Sequence, residues 1–260
     1  MSMSNFDPLR KQNELLELVR KKPIHRNYWN AYKKIKRLDF SNVEIPSQDR
    51  LNLALMSSFT IDPLAIYLDI DCRLNGLFPE IYIAPFNRYH DEVLNKSSGL
   101  YKSQPGVILF FVRVESLLEE LFRVNYTQIN KEQLQTELDR IIRDIEQLLT
   151  LIKQQSEALI IFSNFIVPTF SPFGILDNKQ VLGYKKFYRL LNLRLEESFH
   201  ENTQVFIFDL DEVASMYGKD NYMNYSMFYR GSILFNEPFL SRISYLLMIY
   251  QKFSIRLRRV

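Results

Sequence analysis

The chain has 260 residues, with 47% hydrophobic and 24% charged residues, and its length allows one large domain or two small ones. One cysteine, Cys72, excludes a disulfide framework and a multi-cysteine zinc site, and only seven glycines argue against a glycine-rich phosphate loop. The net charge of +3 hides an asymmetry: residues 1–37 carry ten Lys/Arg against three Asp/Glu, which leaves the remainder net acidic.

The N-terminus, MSMSNFDPLRKQ, lacks an apolar signal core, and no apolar run reaches the ~18 residues of a spanning helix. The expected location is cytoplasmic. The spacing predicts amphipathic helices near 7–22 and 24–38, separated by Pro23. In them basic residues alternate with Leu15, Leu16, Leu18, Val19, Tyr28, Trp29, Tyr32 and Ile35. The basic residues there, and Lys252, Arg256, Arg258 and Arg259 at the far end, read as solvated helix faces. Such charge can also meet nucleic acid or another anionic surface, but no reader motif accompanies it. The expectation is therefore no nucleic-acid partner and no membrane partner.

RLNLALM (50–56) reads as a first strand. Asp62-Pro63 then opens a helix running to about Leu74, with Gly76 beyond its end. EIYIA (80–84) is a second strand, followed by a short helix and loop over 88–102. GVILFFV (106–112) is apolar throughout, as in a strand covered on both faces. Asn130 and Gln133 form a capping box, with Ile129 and Leu134 as a hydrophobic staple. Leu134, Leu138, Ile141, Ile142, Ile145, Leu148, Leu149 and Ile152 then recur at helical steps. ALIIF (158–162) is a fourth strand, followed by a loop with Pro168 and Pro172 and a helix over about 179–199. VFIF (205–208) is a fifth strand, after which Asp209 or Asp211 caps a helix ending at Gly218. An aromatic-rich loop leads to a last helix over about 238–256.

This alternation predicts an α/β protein with a five-stranded, mainly parallel sheet between helical layers. We place an N-terminal helical arm at 1–45 and the α/β/α domain at 46–260. Leu53, Leu55, Ile81, Ile83, Val107, Leu109, Phe111, Ile160, Phe162 and Phe206 are the expected core. In such folds ligands bind at the carboxyl ends of strands, which directs attention to the loops there.

Ser57, Ser58 and Thr60 leave the first strand and enter a helix. Ser58 at such a turn is a candidate nucleophile and Ser57 and Thr60 are candidate ligand-binding residues, while all three can instead satisfy backbone groups at the helix start. His90, after the second strand, is a weak candidate base. Asn87 and Asn164 follow strands and can donate an amide to a bound carbonyl or serve their own loops. Arg113 and Glu115 read as a rim salt bridge, and Asp209 and Asp211 as helix-capping acids rather than a metal pair. No metal site and no cofactor are expected.

Residues 53–111, together with ALIIFSNFIVP (158–168) and VFIFDLDEVASMYG (205–218), resemble the N-terminal domain of FkbH-like proteins. The resemblance implies a flavodoxin-like three-layer fold of the SGNH-hydrolase (GDSL-like) type. In that family the domain precedes a haloacid-dehalogenase-type domain, whose DxDxT motif would begin where this sequence stops. SSFT matches the family's D-S-L-T at Ser58 and Thr60, which puts Ser58 at the nucleophile position and Ser57 in place of the acid. The GxND block falls on Val112–Glu115, without its oxyanion asparagine. The DxxH block falls in 220–237, which contains no histidine. The resemblance thus implies a degenerate module that binds an acyl or glyceryl group, an acyl carrier protein or a haloacid-dehalogenase-type partner enzyme. The setting would be secondary-metabolite or surface-polysaccharide biosynthesis. The alternative is an active serine esterase or acyltransferase built on Ser58. The oligomeric state is not readable from the sequence.

Overall fold

In the computed structural model, residues 7–118 and 126–257 are described. The basic end of the chain, Lys252, Arg256, Arg258 and Arg259, lies outside what is described at the side-chain level. Two helices open the chain, α1 (Pro8–Lys21) and α2 (His25–Ile35). Asp7 caps α1 by accepting from the Leu9 amide, and the helices bury Leu15, Leu16, Val19, Tyr28, Ala31 and Ile35. Of the apolar positions chosen by helical spacing, Leu15, Leu16, Val19, Tyr28 and Ile35 face inward, whereas Leu18 and Trp29 are exposed and Tyr32 is half-buried.

Five strands follow: β1 (Arg50–Ser57), β2 (Phe78–Ile83), β3 (Val107–Phe111), β4 (Leu159–Ser163) and β5 (Val205–Phe208). They form one sheet of order β2-β1-β3-β4-β5, and the β1–β3, β3–β4 and β4–β5 pairs are parallel. This is the flavodoxin-like order of doubly wound proteins, and the architecture is three-layer α/β/α. Between β1 and β2 runs α3 (Asp62–Leu74), which starts at the Asp62-Pro63 pair. Gly76 lies just beyond it at φ +79°, a conformation that favours glycine. After β2 come α4 (Tyr89–Leu94) and α5 (Gly99–Lys102), and after β3 the short α6 (Val114–Leu117).

The capping box is present as expected on α7 (Lys131–Gln155), with Asn130 and Gln133 bonding reciprocally. Residues 174–179 form a 3-10 helix, and α8 (Tyr184–Phe199) begins later than the sequence suggested. The cause is local. The Asp177 carboxylate accepts from the Tyr184 amide, and a Cβ on Gly183 would collide with the Asp177 carbonyl. The two turns are thus sealed apart at Gly183. Beyond β5, α9 (Leu210–Tyr217) is capped by Asp209, which accepts from the Glu212 amide at 2.8 Å. The aromatic-rich loop contains an unpredicted helix, α10 (Tyr225–Gly231), capped by Asn224. Its side chains follow no amphipathic period, so only the cap could have announced it. The last helix is α11 (Glu237–Leu257).

The chain forms two compact units. One comprises Met1–Leu51, Asp62–Ile81 and Phe235–Val260. The other comprises Asn52–Ile61 and Tyr82–Leu234, and it holds the candidate site around Ser58. In it Ala54, Met56, Ile108, Phe110, Ile160 and Phe162 pack on one sheet face with Ile141, Ile145, Phe187 and Leu191. Three core expectations need correction. Phe206 is 41% exposed, and Ile81 and Ile83 are only partly buried. The reason is topological: β2 and β5 are the edges of the sheet, where a strand has one neighbour instead of two. No helix among the described residues is long and apolar enough to cross a membrane.

Candidate functional site

The parallel register sets which side chains meet at the carboxyl edge. Ser57, Phe111, Ser163 and Phe208 form one row across β1, β3, β4 and β5. Side chains alternate along strands, so the next row, Ser58, Val112, Asn164 and Asp209, serves the opposite face. The backbone continues the pairing there: Ser58 N donates to the Phe111 carbonyl, and Asn164 N to the Phe208 carbonyl.

Ser57 is buried, and its Oγ accepts from the Phe59 amide at 3.0 Å. Ser58 is 8% exposed, and its Oγ accepts from the Arg113 amide at 2.9 Å. Thr60 points elsewhere. Its Oγ1 donates to the Gly231 carbonyl at 2.7 Å, and its amide donates to the Ser232 carbonyl at 3.0 Å. Ser232 itself has φ +54°, so Thr60 fastens the left-handed residue that ends α10.

Around Ser58 the following residues build a charged and aromatic cluster. Arg113 pairs with Glu115 at 3.2 Å, and its guanidinium lies 4.6 Å from the ring centre of Phe228 on α10. The rim salt bridge read from the sequence is therefore present. The Tyr188 hydroxyl donates to the other Glu115 oxygen at 3.3 Å and meets the Tyr184 hydroxyl at 3.2 Å. Burial and the Glu115 charge push the Tyr188 phenol far above its ordinary range, and burial leads in raising Tyr222 to about 12. These phenols stay neutral at physiological pH and serve as hydrogen-bonding groups, not bases. Sequence reading noted an aromatic-rich loop after the fifth strand but missed Tyr184 and Tyr188. Their four-residue spacing on a helix is indistinguishable from core packing until the fold brings Glu115 beside them.

The other predicted residues are placed differently. Asn164 is 2% exposed and bonded at both ends of its side-chain amide: its nitrogen donates to Asp209 at 2.8 Å, and its oxygen accepts from the Asp211 amide at 3.0 Å. Asp211 also accepts from the Val167 amide and pairs with Lys219. The two aspartates are thus capping and loop-tying acids. Asn87 is exposed at φ +53°, and His90 is exposed, its ring tilted against Tyr89. Among the described residues no hydrogen bond joins Asn87, His90 or Asn164 to Ser58. None of the described His, Cys, Asp and Glu residues form a group of three able to hold a metal ion.

Asn164→Ala leaves the Asp211 amide without its partner and removes one of the two donors to Asp209 Oδ1, which keeps the Glu212 amide. We expect it to cost about 1–3 kcal/mol in urea unfolding. A loss below ~0.5 kcal/mol would show that water replaces the amide at no cost.

Comparison with known proteins gives the family and the fold. Residues 52–247 match the FkbH N-terminal domain. The chain belongs to that family. Among solved structures it resembles the N-terminal part of BF1531 from Bacteroides fragilis, which contains a phosphatase domain complexed with Mg. The TM-score is 0.68 at 18% identity, covering 85% of this chain and 54% of that one. The FkbH-type chain therefore spans about half of that relative. An acetyl xylan esterase, AlAXEase, aligns with a TM-score of 0.50 at 10% identity, covering 77% of this chain and 99% of that one. At such identities the likeness is one of fold, here the hydrolase-like α/β/α fold. No curated protein matches the chain.

Proposed function

We propose that this FkbH-type domain is a catalytically degenerate SGNH-hydrolase-like module. It binds an acyl or glyceryl group, delivered by an acyl carrier protein or handed to a phosphatase-like partner of the haloacid-dehalogenase type. The observation that carries this reading is the environment of Ser58. Its Oγ holds the Arg113 amide, and no histidine is bonded to it among the described residues. A serine hydroxyl is a weak nucleophile unless a base takes its proton. His25 bonds Tyr67, His200 bonds the Glu197 carbonyl, and His90 is at the surface. In the GxND block implied by the resemblance, Val114 stands at the oxyanion asparagine, between Arg113 and Glu115. A guanidinium flanked by a carboxylate, phenols and a phenyl ring suits recognition of a polar ligand with an apolar portion.

The test is hydrolysis of short p-nitrophenyl esters, with mass spectrometry for an acyl adduct on Ser58 after incubation with acyl carriers. Turnover is expected near background and unchanged in Ser58→Ala. Hydrolysis that disappears in a folded Ser58→Ala variant, or a covalent adduct on Ser58, would establish an active serine esterase or acyltransferase instead.

A further inference from the structure

Residues 18–38 contain eight Lys/Arg and no Asp/Glu. Sequence pattern treats them as solvated faces of α1 and α2. The structure adds that apolar side chains stand outward among them: Leu18 is 57%, Ile24 42% and Trp29 37% exposed. The Asn27 side chain donates to the Lys22 carbonyl at 2.8 Å and to the Leu18 carbonyl at 3.4 Å, which pins the first turn of α2 against the end of α1. Leu18 and Ile24 therefore share one corner with Lys21, Lys22 and Arg26. Along α2, Trp29 follows Arg26 by three residues, and Lys33 sits over the Trp29 ring at 4.3 Å. Of the eight cations, Arg20 pairs with Glu17 and Lys36 with Asp69. The other six make no ion pair among the described residues.

We propose that the α1–α2 corner is a peripheral docking surface for an anionic lipid bilayer. Three partner chemistries offer negative charge, and the composition separates them. Nucleic-acid backbones give exposed leucine and isoleucine nothing to pack against. Protein interfaces are depleted of lysine, because a flexible, strongly hydrated ammonium is costly to immobilise and desolvate. A bilayer needs no fixed pairing: lysines act at a distance on the surface potential while their stems lie along apolar groups. Aliphatic side chains at the corner then enter the headgroup boundary, and tryptophan sits at the interface as an amphipathic ring. This departs from the expectation of no membrane partner, which read the basic residues as solvated helix faces.

The full chain would be sedimented with phosphatidylcholine vesicles containing about one-third phosphatidylserine, at ~0.1 M salt, where the screening length is about 10 Å. Trp29 is the single tryptophan, so its emission reports the contact directly. Binding with a blue shift is expected, and pure phosphatidylcholine should bind much more weakly. Lys21→Gln/Lys22→Gln/Arg26→Gln should weaken binding about tenfold or more, since each cation contributes about a fivefold factor near an anionic surface. Leu18→Ser/Ile24→Ser should weaken it about fivefold or more and reduce the blue shift. Circular dichroism checks folding. Lys33→Gln/Lys34→Gln, on the solvent side of α2, provides a second charge variant with an expected loss of about tenfold. Equal binding to neutral vesicles, no binding at all, or unchanged binding in folded variants would overturn the proposal. So would tighter binding to a DNA duplex or to an acidic peptide, which are run alongside.

Discussion

Replacing Leu109 by alanine is expected to lower the unfolding free energy by about 2–5 kcal/mol. Leu109 lies in β3, the central strand, between Leu55 of β1 and Ile161 of β4 in register. It is 2% exposed, and Leu55 is fully buried beside it. Truncation removes several buried methyl and methylene groups and leaves a cavity that a sheet held by hydrogen bonds on both sides cannot close. The same change at Phe206 should cost far less, because that ring is at an edge and partly in water. Urea unfolding of both variants checks the contrast. A cost below ~1 kcal/mol at Leu109 would contradict a central β3.

Asp71→Asn is expected to stabilise the protein at pH 8 and to make no difference below about pH 4. Asp71 is 7% exposed on α3, and its oxygens accept from the Tyr28 hydroxyl of α2 at 2.8 Å and the Ser244 hydroxyl of α11 at 2.5 Å. Burial is the leading cause that pushes its carboxyl up to about 6, against the two hydroxyls that favour the charged form. An acid whose folded pKa exceeds its unfolded value near 3.8 favours folding at low pH. That contribution is complete below the unfolded value and is lost as pH rises through about 6. At pH 8 the charged carboxylate then costs on the order of 3 kcal/mol relative to a neutral group. Asparagine keeps a hydrogen-bonding group of the same shape and carries no charge. Thermal unfolding of both proteins between pH 4 and 8 should show the variant's Tm above the wild type's at high pH by several degrees, with the gap closing on acidification. An equal gap at all pH values would mean that packing, not charge, separates them.

The elements of this fold were legible because local signals agreed with one another. The Asn130–Gln133 capping box, the Asp62-Pro63 start, and the apolar runs of β1, β3 and β4 each correspond to an observed element. Strand alternation with helices implied a parallel sheet, and the β1–β3–β4–β5 pairings are parallel. What failed was anything that depends on neighbours distant in the chain. VFIF reads as a buried strand, yet nothing in four residues says that β5 lies at the edge, where Phe206 meets water. α10 was hidden because its Tyr, Met and Phe residues are not segregated to one side.

The candidate site divides along the same line. From sequence alone, Ser58 could be placed at the end of β1, and the missing histidine of 220–237 and the Arg113–Glu115 pair could be read directly, because each depends only on order along the chain. Only the tertiary structure could decide what Ser58 touches. Its hydroxyl meets the Arg113 amide because β1 and β3 are neighbours in register, 55 residues apart in sequence. Glu115 acquires Tyr188 from a helix 73 residues further on. Asn164 was a candidate ligand group until Asp209 and Asp211 took both ends of its amide. Local propensity sets which segments become strands and helices. Which polar side chains remain available for chemistry is set by burial and long-range hydrogen bonding, and those exist only once the chain has closed on itself.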